Sequence, residues 1–88
     1  MKLKDGMITD TTNGDFVAIA TGEASRSFSG LIRNNATSHF IFTQLMTDTT
    51  EEAILQAVLE KYDVSEETAL RDIRRIIAQL REQNLLDA

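Results

Sequence analysis

One stretch limits what this chain can fold into more than any other: Phe28-Ser29-Gly30-Leu31-Ile32-Arg33-Asn34-Asn35-Ala36-Thr37. It reads as a short apolar strand that runs straight into a helix cap. Asn34 and Asn35 are both good N-cap residues, because an Asn side chain accepts a hydrogen bond from a free N–H of the first helical turn. Upstream of this switch the chain reads as strands; downstream it reads as helices. Strands followed by helices imply an α+β fold, with the helices covering one face of the sheet.

The upstream part is a β-meander over about residues 4–34. Met7–Thr11 contains the β-formers Ile8, Thr9 and Thr11. Phe16–Ala20 is apolar throughout, as a central strand should be. Between them lies Thr12-Asn13-Gly14-Asp15. Asn-Gly between two such runs predicts a hairpin, because a type I′ turn needs positive φ at both central residues. Thr21–Ser27 is small and polar and reads as a loop. Phe28–Asn34 is then the third strand, with one side against the second strand and the other side free. Gly30 weakens it, and marks either a bulge or a close approach by another backbone.

Three helices are expected over about residues 35–86. The first runs to about Met46 and places Ser38, Ile41, Phe42 and Leu45 on one face. A second opens at Asp48-Thr49-Thr50-Glu51-Glu52, where Thr49-x-x-Glu52 fits a capping box and Asp48-x-x-Glu51 offers a register one residue earlier. Its apolar stripe is Ile54, Leu55, Val58, Leu59 and Tyr62. The third opens at Ser65 and carries Ala69, Leu70, Ile73, Ile76, Ile77 and Leu80. Asn84 suits a left-handed C-terminal position, after which Leu85-Leu86 tucks back. Arg74 and Arg81 border this stripe beside Leu70 and Ile77, while Arg71 and Arg75 point further toward solvent. Such arginines read either as a solvated face with Glu67–Arg71 pairing or as a rim for an acidic ligand.

Composition narrows the function. With 88 residues there is one domain and room for only a small core. Cysteine is absent, which removes thiolate chemistry and zinc–sulfur sites and suits the cytoplasm. His39 is the one histidine, and a lone histidine reads as a packing or surface residue. No serine nucleophile motif or glycine-rich phosphate loop is present, so a non-catalytic binding module with no cofactor and no metal is expected. Apolar runs are only a few residues long, too short to span a membrane. A net charge of -5 argues against nucleic acid. A protein or peptide partner is left, held by strand addition at a free sheet edge or by docking on an apolar helix face.

Several motifs in order resemble the PqqD-like family. They are Gly30-Leu31-Ile32-Arg33-Asn34-Asn35-Ala36-Thr37-Ser38-His39-Phe40-Ile41-Phe42, Thr49-Thr50-Glu51-Glu52, Lys61-Tyr62-Asp63-Val64-Ser65-Glu66-Glu67 and Leu80-Arg81-Glu82-Gln83-Asn84-Leu85-Leu86. Asn34 stands where many members have an aliphatic residue, and Phe42 where many have Trp. The resemblance implies a three-stranded antiparallel sheet on three helices, similar to a winged helix-turn-helix. It also implies a recognition element for ribosomally made, post-translationally modified peptides. Such a domain captures the leader segment of a precursor as an added strand beside its third strand. It then presents the peptide to a modifying enzyme, which is a radical S-adenosylmethionine enzyme, a cyclase or a leader peptidase. Carried onto this chain, the peptide-binding residues are Phe28, Ser29, Gly30, Leu31, Ile32 and Arg33 on the strand. Leu70, Ile73, Arg74, Ile77 and Arg81 stand on the facing helix. A winged-helix DNA-binding regulator and a small homodimerisation module using the same strand edge are the alternatives.

Overall fold

The computed structural model describes residues 1–12, 15–26 and 31–87, with the side chains of 12 and 31–34 left aside. The Asn13-Gly14 turn and the Phe28–Gly30 part of the expected third strand lie outside the described residues.

The architecture is α+β, with three α-helices and two small antiparallel sheets among the described residues. Strands β2 (Met7–Thr12), β3 (Asp15–Ala20) and β4 (Leu31–Asn34) pair in the order β2-β3-β4. The β2–β3 register runs from Met7 opposite Ala20 to Thr12 opposite Asp15, and the β3–β4 register from Phe16 opposite Asn34 to Ile19 opposite Leu31. The central strand buries Val17, Ala18 and Ala20 and leaves Ile19 at 37% exposure. The second sheet was not foreseen. It joins β1 (Lys2–Leu3) to β5 (Leu86–Asp87). Two-residue strands carry no period, and their pairing spans the whole chain, so no local pattern announces them. The expected loop after β3 holds a short 3-10 turn at Ala24–Arg26 that buries Ala24.

Helix α1 spans Ala36–Gln44, and its N-cap is Asn35, whose side-chain oxygen accepts from the Ser38 N–H at 2.8 Å. It stops two residues short of Met46, and the Leu45 carbonyl, free at the helix end, accepts the Leu3 N–H at 2.8 Å. Ser38, Ile41, Phe42 and Leu45 form its buried face, as the spacing predicts. Helix α2 spans Glu51–Lys61. Its N-cap is Thr50, not Thr49 or Asp48: the Thr50 hydroxyl accepts from the Ala53 N–H at 3.1 Å. The other two candidates are held elsewhere. Asp48 meets the Met1 ammonium at 2.7 Å, which holds its carboxyl below the usual aspartate range. The Thr49 N–H donates to the Met1 carbonyl at 2.8 Å.

Helix α3 spans Glu66–Glu82 and is capped by Ser65, which accepts from the Thr68 N–H. At its end Asn84 adopts φ 58, and the N–H groups of Asn84 and Leu85 donate back to the carbonyls of Arg81 and Leu80. This pair of reversed bonds is a Schellman closure, with Leu80 and Leu85 in contact range of the same buried core. The core gathers Leu3, Met7, Ala18, Ile41, Phe42, Leu45, Ile54, Val58, Ile73, Ile76, Leu80 and Leu85 between the helices and the inner faces of the sheets.

Gly6 links β1 to β2 at φ +101, and its carbonyl accepts both the N–H and the hydroxyl of Thr21. A Cβ there would fall on the Thr21 carbonyl oxygen. Gly6→Ala should therefore cost at least about 2 kcal/mol, combining backbone strain with a clash that only main-chain movement relieves. Gly22 has φ +53 but nothing within 4 Å of such a Cβ, so Gly22→Ala should cost only about 1 kcal/mol. Urea midpoints of the two variants check this; equal losses would remove the steric part of the account.

Candidate functional site

Two features stand out as sites for a partner: the rim strand β4 and the exposed face of α3. Strand β4 ends the β2-β3-β4 order, so β3 lies on one side of it and no strand among the described residues lies on the other. A strand in that position presents alternate N–H and C=O groups outward. Leu31, Ile32 and Arg33 lie on this strand by their backbone. Asn35 then fixes where it ends by capping α1.

Helix α3 divides into a buried and an open side. Ile73 is completely buried and Ile77 is 6% exposed, so both belong to the core. The resemblance sets both on the helix that faces the peptide; here their side chains pack into the core. Leu70, one position further round the helix, is half-buried and remains at the surface. It lines two shallow depressions. One, of about 600 Å³, is lined among the described residues by Glu67, Leu70, Arg71, Arg74 and Arg75. The other, of about 350 Å³, has Leu70 and Arg74 in common with it, and adds Glu66 and, from α2, Glu51, Glu52, Leu55 and Gln56. Arg81 is exposed on the same helix but lines neither depression.

Charges are sorted around Leu70. The Arg74 Nε donates to Glu51 Oε1 at 2.6 Å, across 23 residues of sequence. Arg75 stands 3.8 Å from Asp72, a loose pair one turn away. The expected Glu67–Arg71 pairing does not form among the described residues; the close pairs on this face are the two just named. Arg71, Arg75, Glu51, Glu52 and Glu66 were thus not assigned to the site by sequence. A helical wheel does find Arg71 and Arg75, but the α2 carboxylates come into place only when α2 packs on α3.

A separate hollow of about 460 Å³ is lined by Phe16, Ala36, His39, Phe40, Thr43, Lys61 and Tyr62. Phe16 and His39 have ring centroids 4.8 Å apart, Phe40 and Tyr62 meet edge-on at 5.8 Å, and the Lys61 ammonium lies 4.7 Å from the Phe40 centroid. His39 Nδ1 is buried, with no hydrogen-bond partner among the described residues. Its ring packs from α1 against Phe16 of β3. Among the described residues no group of three or more His, Cys, Asp or Glu could hold a metal ion. No described helix is long and apolar enough to cross a membrane.

A family model described as Coenzyme PQQ synthesis protein D (PqqD) matches residues 21–86. The chain belongs to the PqqD family. Residues 21–86 take in β4, all three helices and Leu86 of β5, so both β4 and α3 fall within the match. Two solved structures share the fold. "TbiB1 in Complex with the TbiA(beta) Leader Peptide" superposes with a TM-score of 0.77 at 22% identity, covering 100% of this chain and 96% of that one. "Lasso peptide synthetase B1 complexed with the leader peptide" superposes with a TM-score of 0.70 at 20% identity, covering 96% of this chain and 93% of that one. No curated protein sequence matches the chain.

The Arg74–Glu51 pair is largely exposed, with side chains 68% and 39% accessible, so water screens most of its attraction. Arg74→Gln should change unfolding free energy by less than about 1 kcal/mol. Chemical denaturation in low and high salt tests this. A larger loss would make Arg74 a structural residue and remove it from the site.

Proposed function

We propose that this member of the PqqD family is a non-catalytic recognition element that captures the leader segment of a ribosomally made precursor peptide by strand addition. The observation that carries the reading is the place of β4 at the rim of the sheet, in a chain whose family match covers both β4 and α3. The solved structures of like fold hold leader peptides, which supports the same reading. The leader lies alongside β4, with α3 as the second wall. Leu70, Arg74 and Arg81 remain the α3 residues of the original set with exposed or half-exposed surface, joined by Arg71 and Arg75. Main-chain hydrogen bonds hold an extended segment of any sequence, and the α3 wall supplies the selection.

The β2-β3-β4 sheet and the three helices make one winged helix-turn-helix-like domain over residues 1–88. The captured peptide is presented to a modifying enzyme, a radical S-adenosylmethionine enzyme, a cyclase or a leader peptidase, in the cytoplasm. The arginines of α3 are the feature that a DNA-binding reading would use. At net charge -5 they sit in a repulsive field for phosphates.

Two measurements test the proposal. A synthetic leader, taken from a short peptide encoded beside this gene, is titrated into the isotopically labelled protein. Amides of β4 and of α3 around Leu70 should shift together. Shifts confined to β2, the opposite rim of the sheet, would overturn the assignment. Adjacent residues of β4 direct their N–H groups to opposite sides. Leu31→Pro and Ile32→Pro should therefore differ in kind. One cuts the ladder to β3 and lowers stability by about 3 kcal/mol or more, while the other keeps the fold and weakens leader binding about tenfold. If both variants fold and bind like the parent, β4 is not the docking edge.

A further inference from the structure

Around Leu70 the surface has an electrical direction. On one side stand Arg71 and Arg75, with Glu67 lining the same depression and reducing but not cancelling their excess of positive charge. Arg75 has a loose partner at 3.8 Å, and Arg71 has no carboxylate within bridging distance among the described residues. On the other side stand Glu52 and Glu66, which also have no cationic partner among the described residues. Between them, Arg74 and Glu51 neutralise each other at 2.6 Å. Leu70 and Arg74 are the residues that line both depressions. On a chain carrying five net negative charges, two weakly compensated arginines beside a half-buried leucine are a local exception.

The spacing suits an extended ligand. Along α3, Glu66 lies about 6 Å before Leu70 and Arg75 about 7.5 Å after it, at 1.5 Å rise per residue. In a strand, side chains on one face recur every second residue, at about 6.8 Å. A carboxylate, an apolar side chain and a cation at alternate positions of an extended peptide would therefore meet Arg75, Leu70 and Glu66 in turn, with Arg71 lining the depression that holds Arg75 and Glu52 lining the one that holds Glu66.

Resting on the leader-binding reading above, we infer that the segment this chain selects has the pattern acid-x-apolar-x-base in one chain direction. The apolar residue sits on Leu70, and the two charges fix which way the peptide runs along α3. Backbone pairing with β4 alone does not select a sequence; the charge order on the opposite wall does.

The test uses the full chain and blocked, dye-labelled nonapeptides that differ only in a central pentad. The pentads are Asp-Ala-Leu-Ala-Lys, Lys-Ala-Leu-Ala-Asp and the uncharged Asn-Ala-Leu-Ala-Gln. Fluorescence anisotropy gives the affinities at low salt and at about 1 M salt, where screening extends to about 3 Å. One charge order should bind at least about fivefold more tightly than the other, and the gap should close in high salt. The charge-swapped variant Arg71→Glu, Arg75→Glu, Glu52→Lys, Glu66→Lys should reverse the preference. All four positions are exposed, and circular dichroism confirms the fold before binding is read. Equal affinity for both charge orders overturns the inference, as does a preference unchanged in the swapped variant. If none of the nonapeptides binds while the genomic leader does, the charge rule falls and leader capture stands. If neither binds, both fall.

Discussion

The structure hangs on a short set of backbone bonds where three chain segments meet. The Leu3 N–H donates to Leu45 at the end of α1, and the Lys4 N–H donates to Leu85 just past α3, both at 2.8 Å. The Leu85 N–H in turn closes on the Leu80 carbonyl at 2.8 Å. The side chains of Leu3, Leu45, Leu80 and Leu85 are all buried. Polar backbone groups in such a place must find partners or carry a penalty of about 1–3 kcal/mol each. Here the ends of two helices supply acceptors and β1 supplies donors, so one set of bonds satisfies all three. The same junction fixes where α3 ends.

Features that depend on a few adjacent residues were legible before the structure. Asn35 and Ser65 cap their helices, and Asn84 takes the left-handed conformation that lets Leu85 fold back. Each is a local hydrogen-bonding choice. The cap of α2 was not legible, because Asp48, Thr49 and Thr50 are all competent and the choice falls to Met1, nearly fifty residues away in sequence. The β1–β5 sheet was missed for the same reason. Its pairing of Leu3 with Leu86 is a long-range event with no local period.

The site was legible in part. Periodicity finds the apolar face of α3 but cannot say how much of it the rest of the molecule covers. Ile73 and Ile77 lie at its centre and vanish into the core; Leu70 lies at its margin and stays at the surface. A helical wheel places Arg74 beside Leu70, yet the Glu51 that neutralises it comes from another helix. Charge balance at this surface is thus a tertiary property. It depends on α2 laying its acidic first turn against α3, where Glu51 and Glu52 also complement the positive end of the α2 dipole.

That double use of the α2 carboxylates has a consequence for selectivity. Because Glu51 takes the charge of Arg74, the cationic character of α3 shifts outward to Arg71 and Arg75, away from α2. Because Glu52 is left without a cationic partner among the described residues, the α2 side keeps its negative charge. A rim strand offers main-chain groups to any extended segment and is a hazard unless something limits what joins it. Opposite charges on the two flanks of Leu70 supply such a limit. Segments of the wrong charge order meet like charges at both ends, and repulsion discriminates as effectively as attraction.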